Sequence, residues 1–252
     1  MKKQFLAGAI AALAVFNASA LTAGDVAFTS FNADEDGMSL VTLVDLAANS
    51  KIYFTDNEWT GTAFNTGESY SSWSSGAAVV NAGTVIRFNN IDSATLLGAS
   101  VGTYQREAVS GSTNYGLSQS ADTIYAYTGA TATAPTSFLA VVSSGTLGTA
   151  GDGLLTNTGL SIGAGAIQLS NSSDFAQYNG ARAGEVSFAG YKTMVSALTN
   201  WQVQGDGSFA ATVPNTTAFS ITPVPEPESY AMLLAGLGLI GTIARRRQRQ
   251  SS

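Results

Sequence analysis

The sequence predicts an all-β protein: a single β-sandwich-like domain with one short helix, followed by a C-terminal transmembrane helix. Short apolar runs recur along residues 21–222, separated by Gly, Ser, Thr, Ala and Asn. Within Thr123–Thr128, Ile124 and Ala126 alternate with two tyrosines, which is the period of a β-strand. Regularly spaced short strands with turn residues between them are typical of sandwiches and barrels.

The N-terminal segment has the three parts of an export signal. Met1-Lys2-Lys3 is basic, Phe5–Phe16 is apolar, and Ala18-Ser19-Ala20 supplies small residues. We expect a secretory signal peptide over residues 1–20, with Ala18 and Ala20 marking the cleavage site. Twelve apolar residues are too few for a membrane-spanning helix.

The next segment, residues 21–213, is predicted as one secreted β domain, because its composition does not shift along its length. Tyr191, Met194, Val195 and Leu198 have helical spacing and predict a short helix. The remaining apolar runs predict eight strands: Asp25–Phe31, Ser39–Leu46, Lys51–Asp56, Thr84–Asn89, Thr123–Thr128, Phe138–Val142, Ala166–Leu169 and Thr217–Thr222.

The C-terminal part is divided into a linker, an apolar run and a basic tail. Residues 214–229 hold four of the five prolines and predict a linker. The uncharged run Tyr230–Ala244 predicts a transmembrane helix of roughly 22 Å, short for a bilayer core of roughly 30 Å. Residues 245–252 form a cytoplasmic tail whose arginines act as a stop-transfer signal: Arg245, Arg246, Arg247 and Arg249.

Val224-Pro225-Glu226-Pro227, the apolar run and the arginine cluster together resemble the PEP-CTERM sorting signal of exopolysaccharide-producing Gram-negative bacteria. The resemblance implies an exosortase, a membrane-embedded cysteine transpeptidase, as the partner that cuts near this motif. It also implies transient residence in the inner membrane, followed by delivery to the cell surface or the extracellular space. Such tails are carried by many unrelated domains, so the resemblance does not identify the activity of the delivered domain.

The body has a separate resemblance, to secreted bacterial surface proteins without an assigned activity. A lamin-tail-like β-sandwich is the named fold that it suggests. The residues that carry the resemblance are Asp25-Val26-Ala27-Phe28, Asn32-Ala33-Asp34, Ile52–Trp59 and Ala82–Ile86.

Charge and composition exclude several classes of function. Residues 21–222 carry five basic and fifteen acidic side chains, a net charge of −10, which argues against a nucleic-acid partner. The sequence has no Cys and no His. Disulfides, Ser-His-Asp and Cys-His catalytic sets, and zinc sites built on His or Cys are therefore excluded.

Calcium is the one metal that the sequence suggests. Asn32, Asp34 and Asp36 stand at alternate positions before Gly37, as in the first half of a calcium-binding loop. The position where such a loop places its final Glu is Leu43. The alternative is an acidic turn between two strands, since Asn, Asp and Gly are turn formers. No other cofactor is expected.

Trp59, Tyr70 and Trp73 form the candidate ligand-binding region, with Glu58 and Glu68 beside them. Aromatic rings next to carboxylates suit a sugar-binding surface, and a glycosidase also uses two carboxylates. The alternative is that the aromatic rings pack on the core.

We therefore expect a non-enzymatic surface or matrix protein, sorted by an exosortase and associated with exopolysaccharide or biofilm. A carbohydrate-binding adhesin is the alternative, and a glycan-active enzyme is the third reading.

Overall fold

The computed structural model describes residues 20–149, 151–222, 232–240 and 246. Several predicted features lie outside these residues: most of the signal peptide, including Ala18, the motif Val224-Pro225-Glu226-Pro227, and three of the four tail arginines (Arg245, Arg247 and Arg249).

Within residues 20–222 the described chain is mainly β, with one short α-helix, α1, at Tyr191–Ser196. Two 3₁₀ turns, Phe188–Gly190 and Leu198–Asn200, flank that helix. The strands are β1 Val26–Asn32, β2 Gly37–Thr42, β3 Lys51–Thr55, β4 Tyr70–Ser74, β5 Val85–Asn89, β6 Gly98–Ala99, β7 Thr103–Arg106, β8 Thr123–Thr131, β9 Ala134–Ser143, β10 Ser161–Ile162, β11 Gly165–Gln168, β12 Phe175–Tyr178 and β13 Trp201–Gln204.

The strands form two sheets. One has six strands in the order β13-β12-β1-β2-β5-β6, and the other has seven in the order β10-β11-β9-β8-β3-β4-β7. All pairings are antiparallel except β10 with β11 and β11 with β9, which are parallel. The prediction of a mainly β protein with one short helix is confirmed.

The main core contains residues from both sheets. Phe54 of β3 lies 6.5 Å from Phe28 of β1 and 5.2 Å from Phe88 of β5, measured between ring centroids. Trp73 of β4 is fully buried in the same cluster. Burial of this apolar surface is what holds the two sheets together.

A second apolar cluster covers the other face of the seven-stranded sheet. Tyr125 and Tyr127 lie in this second cluster, whereas Ile124 and Ala126 lie in the main core. The alternation predicted for Thr123–Thr128 is therefore confirmed. Loop residues close the second cluster, because Trp59 and Phe64 pack edge to face at 5.0 Å and both contact Phe138.

Seven of the eight predicted strands overlap observed strands. The predicted helix is also present, but it ends at Ser196 because Ala197 adopts an extended conformation (φ −89°, ψ 114°). The eighth prediction, Thr217–Thr222, is wrong in its detail: the segment contains only one isolated bridge, between Ile221 and Glu185. The prediction missed β4, whose Ser-rich sequence suggested a loop, and several short strands near the sheet edges.

Residues 215–222, which we call the strap, are docked on the body. Phe219 is buried against Tyr178 and Tyr191, with centroid distances of 5.6 Å and 5.0 Å. The backbone N–H groups of Phe219, Ser220 and Thr222 each donate a 2.8 Å hydrogen bond to a body carbonyl. The linker predicted from residue 214 is corrected here, because the folded body extends to Thr222.

All five basic side chains of residues 21–222 have partners. Lys51 and Glu107, Arg87 and Glu35, and Lys192 and Asp25 are ion pairs. Arg106 donates to the carbonyls of Ile91 and Asp92, and Arg182 donates to the carbonyl of Thr217 and lies over the ring of Phe219.

Residues 232–240 are helical within the predicted transmembrane run. Their large apolar side chains, including Leu234 and Ile240, are exposed. Among the described residues, no single helix reaches the length and apolar character needed to cross a membrane.

Candidate functional site

Three carboxylates lie at one end of the seven-stranded sheet, near enough for their charges to influence one another. Asp56 directly follows β3, and Asp122 directly precedes β8, the neighbour of β3. Glu68 lies two residues before β4, on the other side of β3. Strand pairing therefore creates an acidic cluster, defined here as Asp56, Glu68 and Asp122.

Each carboxylate of the acidic cluster has one oxygen without a hydrogen-bond partner among the described residues: Oδ2 of Asp56, Oε2 of Glu68 and Oδ1 of Asp122. Asp56 Oδ1 accepts hydrogen bonds from Ser69 N at 2.7 Å and Ser69 Oγ at 2.6 Å. Asp122 Oδ2 accepts one from Ser118 N at 2.6 Å. A buried carboxylate oxygen without a donor destabilises the ionised form of the acid.

The pKa values in the acidic cluster are raised. Burial raises the pKa of Asp56 to about 6, against the lowering effect of its bonds from Ser69. Burial, followed by the charges of Asp56 and Glu58, raises the pKa of Glu68 to about 7. The pKa of Asp122 is raised well above its usual range by burial and then by Asp56. These carboxylates therefore hold protons at a higher pH than ordinary Asp and Glu side chains do.

The space beside Asp56 is small. A cavity of about 10 Å³ is lined by Asp56, Ser69, Ser71 and Tyr104 together with apolar side chains. Such a volume holds about one water molecule and has no room for a sugar ring.

We predict that the stability of the protein falls as pH rises. An acid whose pKa is raised by folding stabilises the native state below its unfolded pKa, and that stability is lost as pH rises through the folded pKa. For Asp56 the window runs from 3.8 to about 6, and the loss is about 3 kcal/mol. Glu107 acts in the opposite direction: burial alone would raise its pKa, but hydrogen bonds from Lys51 and Ser72 outweigh burial and lower the pKa.

Thermal unfolding at pH 5 and pH 8 measures this effect. The wild-type protein should melt at a higher temperature at pH 5, and Asp56→Asn should reduce the difference. Asp206→Asn, which removes an exposed carboxylate, is the matched control. A wild-type melting temperature that is higher at pH 8 would contradict the prediction.

The predicted calcium ligands are engaged in loop hydrogen bonds. Asn32 Oδ1 accepts bonds from the N–H groups of Asp34 and Glu35, which is the geometry of an Asx turn. Asp34 Oδ2 accepts from Phe209 N, and Asp36 Oδ1 accepts from Leu117 N. Within the described part of the chain, no three acidic side chains are arranged to hold a metal ion. The geometry favours the acidic turn, and calcium binding stays a prediction.

The three aromatic residues proposed for ligand binding are buried and do not form one surface. Trp73 lies in the main core, whereas Trp59 and Tyr70 lie in the second cluster on the opposite face of the sheet. The two indole N–H groups donate to backbone carbonyls, that of Trp59 to Thr156 and that of Trp73 to Val101. Packing, the alternative reading of these residues, fits this arrangement better than an exposed sugar-binding surface.

Trp59 nevertheless lines the edge of a surface groove of about 320 Å³. The other lining residues are mostly small, neutral and polar, and none is charged: Thr22, Ala23, Pro135, Thr136, Ser137, Phe138, Asn157, Thr158 and Gly159. Trp59 was a candidate from the sequence, but the rest of this groove was not predicted, because residues 135–138 and 157–159 come together only in the folded chain.

Residues 223–248 match the family model of the PEP-CTERM protein-sorting motif. The chain carries a PEP-CTERM sorting motif. The match begins at the residue after Thr222, the last residue of the strap. No curated protein and no solved structure matches the chain, so the lamin-tail-like resemblance of the body stays a prediction.

Proposed function

We propose that this PEP-CTERM protein is a non-enzymatic component of the cell surface or extracellular matrix that associates with exopolysaccharide. The observation that carries the proposal is the sorting motif at residues 223–248, joined directly to an acidic β body without cysteine. Exosortase processing of the motif delivers the body, which then acts as a structural or adhesive domain.

The surroundings of the carboxylates support a non-enzymatic body. Glu58 lies close enough to Glu68 to raise its pKa, so the two acids considered for glycan hydrolysis do lie near each other. The cavity at Asp56, next to these acids, is too small for a sugar ring. A glycosidase holds the glycosidic bond in a cleft between its two carboxylates, and the cavity at Asp56 does not provide such a cleft.

The arginine tail offers a test of the membrane step. Replacing Arg245, Arg246, Arg247 and Arg249 with Ser should weaken the stop-transfer signal, because each arginine costs about 2.5–3.5 kcal/mol at the bilayer centre. Unprocessed chain should then pass through the inner membrane. Fractionation with an antibody against the body measures this, and replacement of the same residues with Lys is the control that keeps the charge. Retention of the Ser variant in the inner membrane would contradict the stop-transfer role.

The groove at Trp59 favours a second candidate function, binding of a neutral glycan. Its volume suits a sugar unit or two, and its hydroxyl and amide groups beside aromatic edges suit a neutral polyhydroxylated ligand.

Glycan-array binding by the purified body tests the second candidate. Ser137→Tyr should fill the groove and abolish any binding. Thr133→Tyr, an exposed position between β8 and β9 that does not line the groove, is the matched control and should bind like the wild type. Unchanged binding by Ser137→Tyr would place the glycan elsewhere.

A further inference from the structure

The strap docks through contacts concentrated near its C-terminal end. Phe219 enters the main core beside Tyr191, and the Tyr191 hydroxyl donates a 2.7 Å hydrogen bond to the Ser220 carbonyl. Ile221 forms a parallel bridge with Glu185, and Thr222 N donates to Glu185 O at 2.8 Å. Residues 215–218 of the strap are exposed, although Pro214 before them is buried.

The backbone leaves little clearance around the docked strap. Gly83 has a φ of +88°, and a Cβ at this position would collide with the Phe219 carbonyl and with the Phe188 ring. The Gly83 carbonyl accepts the 2.8 Å hydrogen bond from Phe219 N. The docked position of the strap is therefore a specific, closely fitted one.

Docking leaves a very short tether to the sorting motif. Pro225 is the third residue after Thr222. The chain between the two spans about 10 Å when it is fully extended. A domain of about 200 residues has a radius of gyration of about 16 Å. An enzyme that takes Pro225-Glu226-Pro227 into its cleft would therefore collide with the body.

Release of the strap removes this constraint. If residues 215–222 leave the body while Pro214 stays buried, the free segment starts at Pro214, and Pro225 is the eleventh residue after it. Such a segment spans about 37 Å when it is fully extended. Segments at chain ends with few buried contacts open locally at a lower free energy than the whole fold. One buried ring, Phe219, is the main apolar contact that must be given up.

We propose that the strap is a releasable spacer: docked, it withholds the sorting motif from the exosortase, and undocked, it presents the motif for processing. This inference depends on the proposed sorting function and adds a conformational step to it. The partner that requires the released state is the membrane-embedded processing enzyme.

A disulfide between strap and body tests the proposal in the full-length chain. Glu185→Cys with Ile221→Cys joins residues that are paired across a β-bridge, in a chain that has no other cysteine. In the oxidising periplasm the bridge should form, and the uncut chain should accumulate. Each single Cys variant should be processed like the wild type, which controls for folding. About ten Gly and Ser residues inserted between Thr222 and Pro223 should restore processing of the locked chain.

A second measurement does not depend on disulfide formation. The same Gly-Ser insertion in the wild-type chain should increase the rate of processing in a pulse–chase experiment, because undocking is no longer needed. Normal processing of a chain shown to be cross-linked, or an insertion that leaves the wild-type rate unchanged, would overturn the proposal. A Pro225, Glu226 and Pro227 to Ala variant in the same experiment separates the two ideas: if it is processed normally, the sorting function fails as well.

Discussion

Replacing Pro225, Glu226 and Pro227 with alanine should leave the full-length chain uncut in the inner membrane. The prolines restrict the backbone to extended conformations, which is the form in which a transpeptidase takes a peptide into its cleft. Alanine removes this restriction and the Glu226 carboxylate, while the apolar run and the arginines still halt translocation. The expected effect is a complete loss of the processed form.

Pulse–chase labelling and cell fractionation measure the loss of processing. Glu228→Ala is the matched control, because it also removes a carboxylate but leaves Pro-Glu-Pro intact. We expect the control to reach the surface at the wild-type rate. If the triple alanine variant reaches the surface with normal size and at the normal rate, the tail acts only as a membrane anchor and the sorting role is wrong.

Phe219→Ala should lower the free energy of unfolding of the body by about 3–5 kcal/mol, the usual range for truncating a buried phenylalanine. The ring is 3 % exposed and packs on both Tyr178 and Tyr191. Its removal leaves a cavity in the main core and also loosens the backbone hydrogen bonds at Gly83 and Arg182, which the strap makes on either side of the ring.

Urea unfolding followed by tryptophan fluorescence measures this loss. Phe209→Ala is the control, because Phe209 also stacks on another ring, that of Phe175, but is only half-buried. The control should lose clearly less stability. A loss from Phe219→Ala of less than about 1 kcal/mol would show that Phe219 does not act as a core residue and that the strap is a loose linker.

The strands with a strong apolar pattern were predicted correctly. A strand that is buried on one face alternates apolar and polar residues, and a strand that is buried on both faces is apolar throughout, so both kinds can be recognised in the sequence. Strand β4 was missed because its serines carry no apolar signal: Ser71 and Ser72 are buried through hydrogen bonds to Tyr104 and Glu107. Two predictions from the sequence covered the strap, a strand at Thr217–Thr222 and a Pro-rich linker over residues 214–229, and neither showed that Phe219 docks on the body.

The acidic cluster could not be predicted, since Asp56 and Asp122 are separated in the chain by four strands, β4 to β7, and the loops between them. Only the pairing of β3 with β8 brings them together. The burial of Trp59, Tyr70 and Trp73 in two separate clusters could not be predicted for a related reason. Alternation along a strand does not show which face is covered by loops, and here both faces of the seven-stranded sheet are covered.

All five basic side chains of the body have partners, and this affects how readily proteases outside the cell can cut it. A trypsin-like protease must take a Lys or Arg side chain into its specificity pocket. In this body, every such side chain first has to leave an ion pair, a carbonyl or an aromatic ring. Arg182 also has to displace the strap from its carbonyl and ring contacts. The protection differs between sites, because a surface ion pair such as that of Lys51, whose side chain is 40 % exposed, adds little, whereas Arg182 is also held by the strap.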